Sequence, residues 1–209
     1  MGGATHDGHL GAVYEAKSPE EIAALYDRWA AGYEAEMAMA GYRHPTICLG
    51  LLARHLPKGV GPILDAGAGT GILGEWLAIM GYPEAEALDL SEGMLAIAAR
   101  KGVYARLHRL ALGSALPFAD GSFAGIVAAG VFTTGHVGPE GLDELVRICR
   151  PGGVIVLTVK TTLWDGGFAA RVAALAPAIR IAEATAPYVS MPGEAATVPS
   201  LAIVLTKAA

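Results

Sequence analysis

Eight residues, Leu64 to Gly71 (LDAGAGTG), constrain the fold more than any other stretch. A short apolar run, Gly61-Pro62-Ile63, precedes them, and a helical pattern, Ile72 to Met80, follows. The order is strand, glycine-rich turn, helix, which lays a ligand against bare backbone at a helix N-terminus on an α/β sheet. Gly67, Gly69 and Gly71 alternate through the turn. A side chain at Gly67 or Gly69 would stand in the way of a close ligand, and glycine accepts positive φ at little cost. The turn is therefore expected to form a nucleotide-type cofactor site.

Spacing narrows the ligand. The dinucleotide fingerprint G-x-G-x-x-G, counted from Gly67, would need its third glycine at Ile72. Asp65, at the strand end, would repel a pyrophosphate but can hold a cationic amine, directly or through water. Asp89, in EAEALDLSEGML, lies about 20 residues beyond the glycines, where a carboxylate can take ribose hydroxyls. Ser91 is better placed than Asp89 to cap the helix that follows. A ligand with a ribose at one end and an ammonium at the other fits this pattern, and S-adenosylmethionine is such a ligand. The competing reading, a nicotinamide oxidoreductase, is opposed by Asp65 and Ile72.

LDAGAGTG is followed by ALDLSEGML, LPFADGSF and CRPGGVIVLTV. In this order and spacing, from about Ile63 to Val159, the chain resembles the class I S-adenosylmethionine-dependent methyltransferases. YDRWAAGYEAEM (Tyr26 to Met37), GYRHP (Gly41 to Pro45) and LGSALPF followed by GVFTTGHV are similar to the Williams–Beuren-region methyltransferase-like proteins, from about Ser18 onward. The resemblance implies a Rossmann-like α/β fold. Its seven-stranded, mostly parallel sheet has an antiparallel last strand and helices on both faces. It also implies S-adenosylmethionine as cofactor, S-adenosylhomocysteine as product, and no metal.

Site residues follow from the resemblance and from the rule that ligands bind beyond the carboxyl ends of strands. Asp65 would face the methionine amine through water. Gly67, Ala68 and Gly69 would pass under the methionine and ribose, and Asp89 would take the ribose hydroxyls. Leu90 and Met94 would flank the adenine, and the Gly113 amide would meet an adenine ring nitrogen. Leu112 stands where many relatives carry an Asp that accepts from the adenine amino group, at a cost of about 0.5–1.5 kcal/mol. Ala124 follows Phe123 where Asp is common. Gly130, in the loop after the fourth strand, completes the cofactor set. Trp29 and Tyr33, with Tyr26, would cap the cofactor and close the site to water.

The alternation of patterns agrees with this fold. Strands are expected near Gly61 to Ala66, Glu84 to Leu90, Val103 to His108, Gly125 to Val131 and Gly153 to Lys160. Helices are expected near Ile72 to Met80, Glu92 to Lys101, Gly141 to Cys149 and Phe168 to Leu175. Strand and helix in turn imply a parallel sheet covered on both sides. Ala178 to Ala186 and Leu201 to Lys207 would form the closing hairpin. Ahead of the sheet, Ser18-Pro19-Glu20-Glu21 is a capping box with proline at N1. It opens a helix with apolar positions Ile22, Leu25, Tyr26 and Trp29. Gly41 breaks this region, and Pro45 starts a second helix, Thr46 to His55. Residues 1–17 are expected to be a disordered tail and residues 18–209 one methyltransferase domain with a helical cap over 18–56.

Hydrophobic residues make up 53% of the 209, and mean hydropathy is +0.44. They are dispersed, however, and no run reaches the roughly 18 residues a spanning helix needs. The N-terminus shows neither basic region nor apolar core, so a cytoplasmic protein without membrane association is expected. Net charge is −5, and without a basic stripe no nucleic-acid partner is expected. Cys48 and Cys149 are too few for a disulfide framework or a zinc cluster.

The acceptor half of the site is less legible. AAGVFTTGHV lacks the (Asn/Asp)-Pro-Pro-(Tyr/Phe) motif, a Pro-Cys nucleophile and metal-binding acids. These absences mark down base methylation, cytosine-carbon methylation and catechol-type chemistry. A small-molecule acceptor methylated on O, N or C is the reading that remains. His136 is the candidate general base, since histidine titrates near neutrality. His44 is a weaker one, and Tyr42 and Arg43 are candidates to recognise an acidic or aromatic acceptor. The alternatives are a cofactor-binding protein without transfer activity that acts through a partner, and a protein methyltransferase. Oligomeric state is not visible in the sequence.

Overall fold

The structure is a computed structural model and describes residues 8–16, 18–133, 137–194 and 197–209. Three helices lead: α1 (Gly8–Glu15), α2 (Pro19–Ala40) and α3 (His44–His55). Ser18 caps α2 by accepting from the Glu21 amide (3.2 Å). Gly41 ends it in the left-handed region at φ 68°, with the paired amide bonds of a helix-terminating turn. Helix α3 begins at His44, two residues before the expected start, because Pro45 fits the first turn, where no amide is needed.

Strand and helix then alternate: β1 (Ile63–Ala66), α4 (Ile72–Ile79), β2 (Ala85–Asp89), α5 (Glu92–Lys101), β3 (Arg106–Arg109), β4 (Phe123–Phe132), α6 (Gly141–Ile148) and β5 (Cys149–Lys160). A turn of helix, α7 (Thr161–Leu163), runs through a π-helical stretch, Trp164–Phe168, into α8 (Ala169–Ala174). The chain ends with β6 (Ile179–Ala184) and β7 (Ser200–Lys207). The seven strands pair in the order β3-β2-β1-β4-β5-β7-β6. All pairs are parallel except those of β7, which runs antiparallel to β5 and β6. This is the seven-stranded sheet the sequence implied.

Alternation along each strand divides the core in two. Leu64, Ala66, Ile126, Ala128, Ile155, Leu157, Ile203 and Leu205 pack on one face, under α6 and α8. Their chain neighbours Ile63, Val127, Val154, Val156, Ala202 and Val204 pack on the other, under α3 and α4. Strands buried on both faces read as continuous apolar runs, which is how a parallel sheet writes itself in sequence.

The expected disordered tail is corrected over residues 8–15. They form α1, whose Val13 is fully buried against Trp29, Met37 and Ala40 of α2 and Met191. Tertiary packing, which local composition does not reveal, supplies the stability that so short a helix lacks alone. Residues 1–7 and 17 of that tail lie outside the described residues. The cap is tied to the body through Asp27 of α2. Its Oδ1 accepts from Ser91 Oγ (2.5 Å) and from the Gly93 amide (2.8 Å) at the start of α5.

Phe132 closes β4, fully buried, with its ring 5.0 Å from that of Phe168. Phe132→Ala is expected to cost about 3–5 kcal/mol of stability, seen as a lower urea midpoint at unchanged slope.

Candidate cofactor and acceptor site

Strand order reverses where β1 sits between β2 and β4, and a crevice opens beyond the carboxyl ends of these strands. A cavity of about 340 Å³ fills it. Small-molecule sites run roughly 300–1,000 Å³. Gly67 and Gly69 come to it from the β1–α4 turn, and Leu88, Asp89 and Leu90 from the end of β2. Met94 comes from α5, Leu112 and Gly113 from the segment after β3, and Gly130 from β4. Tyr33 reaches it from α2. Nine of the residues read from the sequence as cofactor-binding are thus gathered at one cavity: Tyr33, Gly67, Gly69, Asp89, Leu90, Met94, Leu112, Gly113 and Gly130.

The Asp89 carboxylate is the organising polar group. Oδ2 accepts from the Gly69 amide (2.8 Å) and Oδ1 from the Ser91 amide (2.9 Å), so one side chain ties the glycine turn to the start of α5. Ser91 caps α5 through the Met94 amide (3.1 Å), which leaves Asp89 to face the cavity. Burial raises the Asp89 pKa above the ordinary carboxylate value, against the pull of its backbone donors.

Four amides of the turn are already spent within the protein. The Gly67 and Ala68 amides both donate to the Leu88 carbonyl (2.7 and 3.0 Å), Gly69 to Asp89, and Gly71 to the Ala68 carbonyl (2.9 Å). A pyrophosphate needs such amides unspent. The geometry favours a ligand that meets this turn by shape and carbon contact.

Three of the residues expected at the cofactor do not line this cavity. Trp29 is 2% exposed and turns under α1, away from the cofactor cavity, because α1 covers that part of α2. Ala68 does not line the cavity, and its amide is spent on Leu88. Asp65 does not line it either, because strand alternation sends its side chain to the face under α3 and α4. There it is 1% exposed and accepts a hydrogen bond from Tyr104 Oη (2.6 Å). Burial pushes its pKa up to about 7, with the Tyr104 bond opposing and the Asp89 charge adding. His136 lies outside the described residues.

Among the lining residues that the sequence did not point to are Ile22, Leu88, Leu110, Ala111, Val131, Val137 and the carboxylate Glu140. Ile22 was legible: Ile22, Tyr26 and Tyr33 lie four and seven residues apart on one helix face, and all three line the cavity. Leu110, Ala111 and Val137 belong to irregular segments that periodicity does not describe. Tyr42 also lines the cavity, and its Oη donates to the Ala129 carbonyl (3.4 Å). His44 is 3% exposed, with Nδ1 2.7 Å from Tyr188 Oη. Burial and the charge of Lys160 lower its pKa to about 3, so it stays neutral near pH 7 and is a poor base.

Comparison with known proteins places this geometry. Residues 64–157 match the family model described as a methyltransferase domain. Over 143 residues, 66% of this chain and 57% of the relative, the sequence is 35% identical to methyltransferase-like protein 27 of Homo sapiens. Over 146 residues, 68% of this chain and 58% of the relative, it is 31% identical to the demethylmenaquinone methyltransferase of Clavibacter sepedonicus. The chain therefore spans a little under three fifths of the length of these two relatives. Two solved structures share the fold. One is the Burkholderia thailandensis 1,6-didemethyltoxoflavin-N1-methyltransferase with its substrate and S-adenosylhomocysteine bound (TM-score 0.65, 18% identity, 93% of this chain and 92% of that one). The other is the [4+2]-cyclase SpnF (TM-score 0.68, 15% identity, 92% of this chain and 97% of that one). The chain belongs to the class I S-adenosylmethionine-dependent methyltransferases.

Two glycines of the turn separate shape from ligand contact. A Cβ at Gly67, where φ is +82°, would overlap Val131 Cγ2, whereas one at Gly69, φ +55°, meets nothing within 4 Å. Gly67 is thus required by Val131 as well as by its backbone angle. Gly67→Ala is expected to lower thermal stability markedly. Gly69→Ala should cost only the left-handed strain, about 1–2 kcal/mol, while weakening ligand binding in the open space it enters. Melting curves with and without ligand separate the two.

Asp65 gives a pH dependence. Its folded pKa lies above its unfolded one, so its contribution to stability is full below about pH 4 and is lost as pH rises through about 7. Asp65→Asn is expected to flatten that part of the stability–pH curve, a change of up to roughly 4 kcal/mol across the window, measured by urea unfolding at a series of pH values.

Proposed function

We propose that the chain binds S-adenosylmethionine in the cavity at the β1–β4 crevice and transfers its methyl group to a small-molecule acceptor. The observation that carries this reading is the Asp89 carboxylate set between the glycine turn and an apolar slot. The slot is formed by Leu90, Met94 and Leu112, which suit an adenine ring, while Asp89 suits ribose hydroxyls. Met94 offers a thioether to an aromatic ring, a contact worth about 0.3–1.5 kcal/mol. Gly113 at φ +92° and Gly130 at φ +79° keep the walls thin where the ligand passes. Asp65 acts on the methionine end only at one remove, through water or through the turn it underlies.

When bound, the sulfonium supplies an activated methyl group. The chain must hold the acceptor in line with it and exclude water. Orientation of this kind is worth roughly 7–11 kcal/mol in favourable intramolecular models. Tyr26, Tyr33 and Tyr42 form the apolar cover on the side toward the cap. A small-molecule acceptor is supported by the relatives, whose names include demethylmenaquinone and 1,6-didemethyltoxoflavin methyltransferases. His136 is proposed from the sequence as the base for an acceptor that must lose a proton.

Among the described residues no helix is long and apolar enough to cross a membrane, and no group of three or more His, Cys, Asp or Glu is arranged to hold a metal. Two buried free thiols, Cys48 and Cys149, suit a reducing compartment, and we place the protein in the cytoplasm on that ground. A reading as a binding protein without transfer activity draws on one observation: the same fold carries the [4+2]-cyclase SpnF.

Thermal unfolding of ligand-stripped protein with S-adenosylmethionine, S-adenosylhomocysteine and NAD added separately tests the cofactor. A ligand at 100 times its dissociation constant stabilises by about 2.7 kcal/mol, a shift of roughly 5–10 °C for a chain of this size. The two adenosyl-sulfur ligands are expected to give that shift, NAD none, and Asp89→Ala is expected to lose it. A shift with NAD alone overturns the assignment. Release of S-adenosylhomocysteine with any acceptor excludes the binding-only reading.

A further inference from the structure

A second, smaller cavity of about 40 Å³ adjoins the cofactor cavity, with room for a few waters or one functional group. Tyr26, Tyr33, Tyr42 and Gly130 line both, so they form the wall between the two. His44, Thr133 and Lys160 line the smaller one from the body of the protein. Lys160 ends β5 and Thr133 follows β4, so both lie at the carboxyl ends of strands, as the cofactor residues do.

Lys160 is 5% exposed. Its Nζ donates once, to the Val198 carbonyl (3.0 Å), and among the described residues no carboxylate pairs with it. An ammonium has three donors, and burying one without a counter-charge is expensive. The groups around it do not supply that charge. His44 from α3 is neutral and bonded to Tyr188. The phenols of Tyr14, Tyr26, Tyr33, Tyr42 and Tyr188 are all held protonated by burial, their pKa values raised. Among the described residues the smaller cavity therefore presents a buried cation, without a partner anion, to a space walled by aromatic rings beside the cofactor cavity.

We propose that Lys160 is the specificity-determining residue for the acceptor: its ammonium receives the oxyanion of a small acidic molecule and holds it against the wall shared with the cofactor cavity. This rests on the cofactor reading above only for what the anion is held against. The anion site stands on the geometry of Lys160 itself. An aromatic or unsaturated acid suits the tyrosine wall, and a cationic amine is excluded by charge. Burial lowers the Lys160 pKa to about 8, so the ammonium predominates near pH 7 and anion binding weakens as pH rises above about 8.

The test uses acetate, the smallest carboxylate, against neutral acetamide, with chloride matching ionic strength. Lysine side-chain carbons are labelled and titrated by NMR, and the Lys160 signal is the one missing from Lys160→Met. Acetate is expected to raise the Lys160 titration midpoint by about one unit, a tenfold tighter hold on the proton, and acetamide to leave it unchanged. A midpoint that acetate does not move, or that both probes move alike, overturns the proposal. Lys160→Met is expected to melt no lower than the parent and to keep its stabilisation by S-adenosylhomocysteine. A large drop in melting temperature instead assigns Lys160 a structural role through Val198 and sinks the proposal. Loss of S-adenosylhomocysteine binding in the parent protein, with the acetate effect intact, overturns the cofactor reading and leaves the anion site standing.

Discussion

The pairing of β1 with β2 on one side and β4 on the other is the constraint from which the site follows. In a parallel sheet all carboxyl ends point one way, and the crossovers leave in opposite directions from the two sides of β1. No backbone fills the gap between those connections. The glycine turn after β1, Asp89 at the end of β2 and Gly130 near the end of β4 meet there because strand register puts them there. Asp89 then fixes the rim by taking one amide from each of two loops.

The cap adds what the sheet cannot. An open crevice would leave a sulfonium methyl group exposed to water. Helix α2 carries Ile22, Tyr26 and Tyr33 to the cavity on one face, and Asp27 fastens the same helix to the start of α5. The residue at the helical position between the two tyrosines, Trp29, is taken by α1 and becomes cap core. One amphipathic pattern thus serves two neighbours, and the helix that settles which residue faces which begins only eight residues into the chain.

The two buried ionisable groups near the crevice behave differently because their surroundings differ. Asp65 has Tyr104 as a donor and Asp89 as a like charge, and burial dominates, so its proton is held more tightly than usual. Lys160 has a single carbonyl and a ring of neutral phenols, so its proton is held less tightly. Each departs from its ordinary value in the direction that removes charge from the interior. Neither departure can be read from the residue's place in the sequence.

The sequence by itself determined the order of strands and helices, the glycine turn, the acid at the end of β2 and the cap that Ser18 gives to α2. These are local: period-two runs, period-3.6 runs and capping residues act within a few positions of one another. The family was legible for the same reason, since its motifs are short and sit at strand ends. Only the tertiary structure decided that Asp65 is turned away from the cavity, that Trp29 belongs to the cap core and that residues 8–15 are helical. It also decided that Lys160, which reads as an ordinary basic residue at the end of an apolar strand, is buried beside the tyrosine wall. Those outcomes depend on which distant element covers each side chain, and that is a property of packing between segments far apart in the chain.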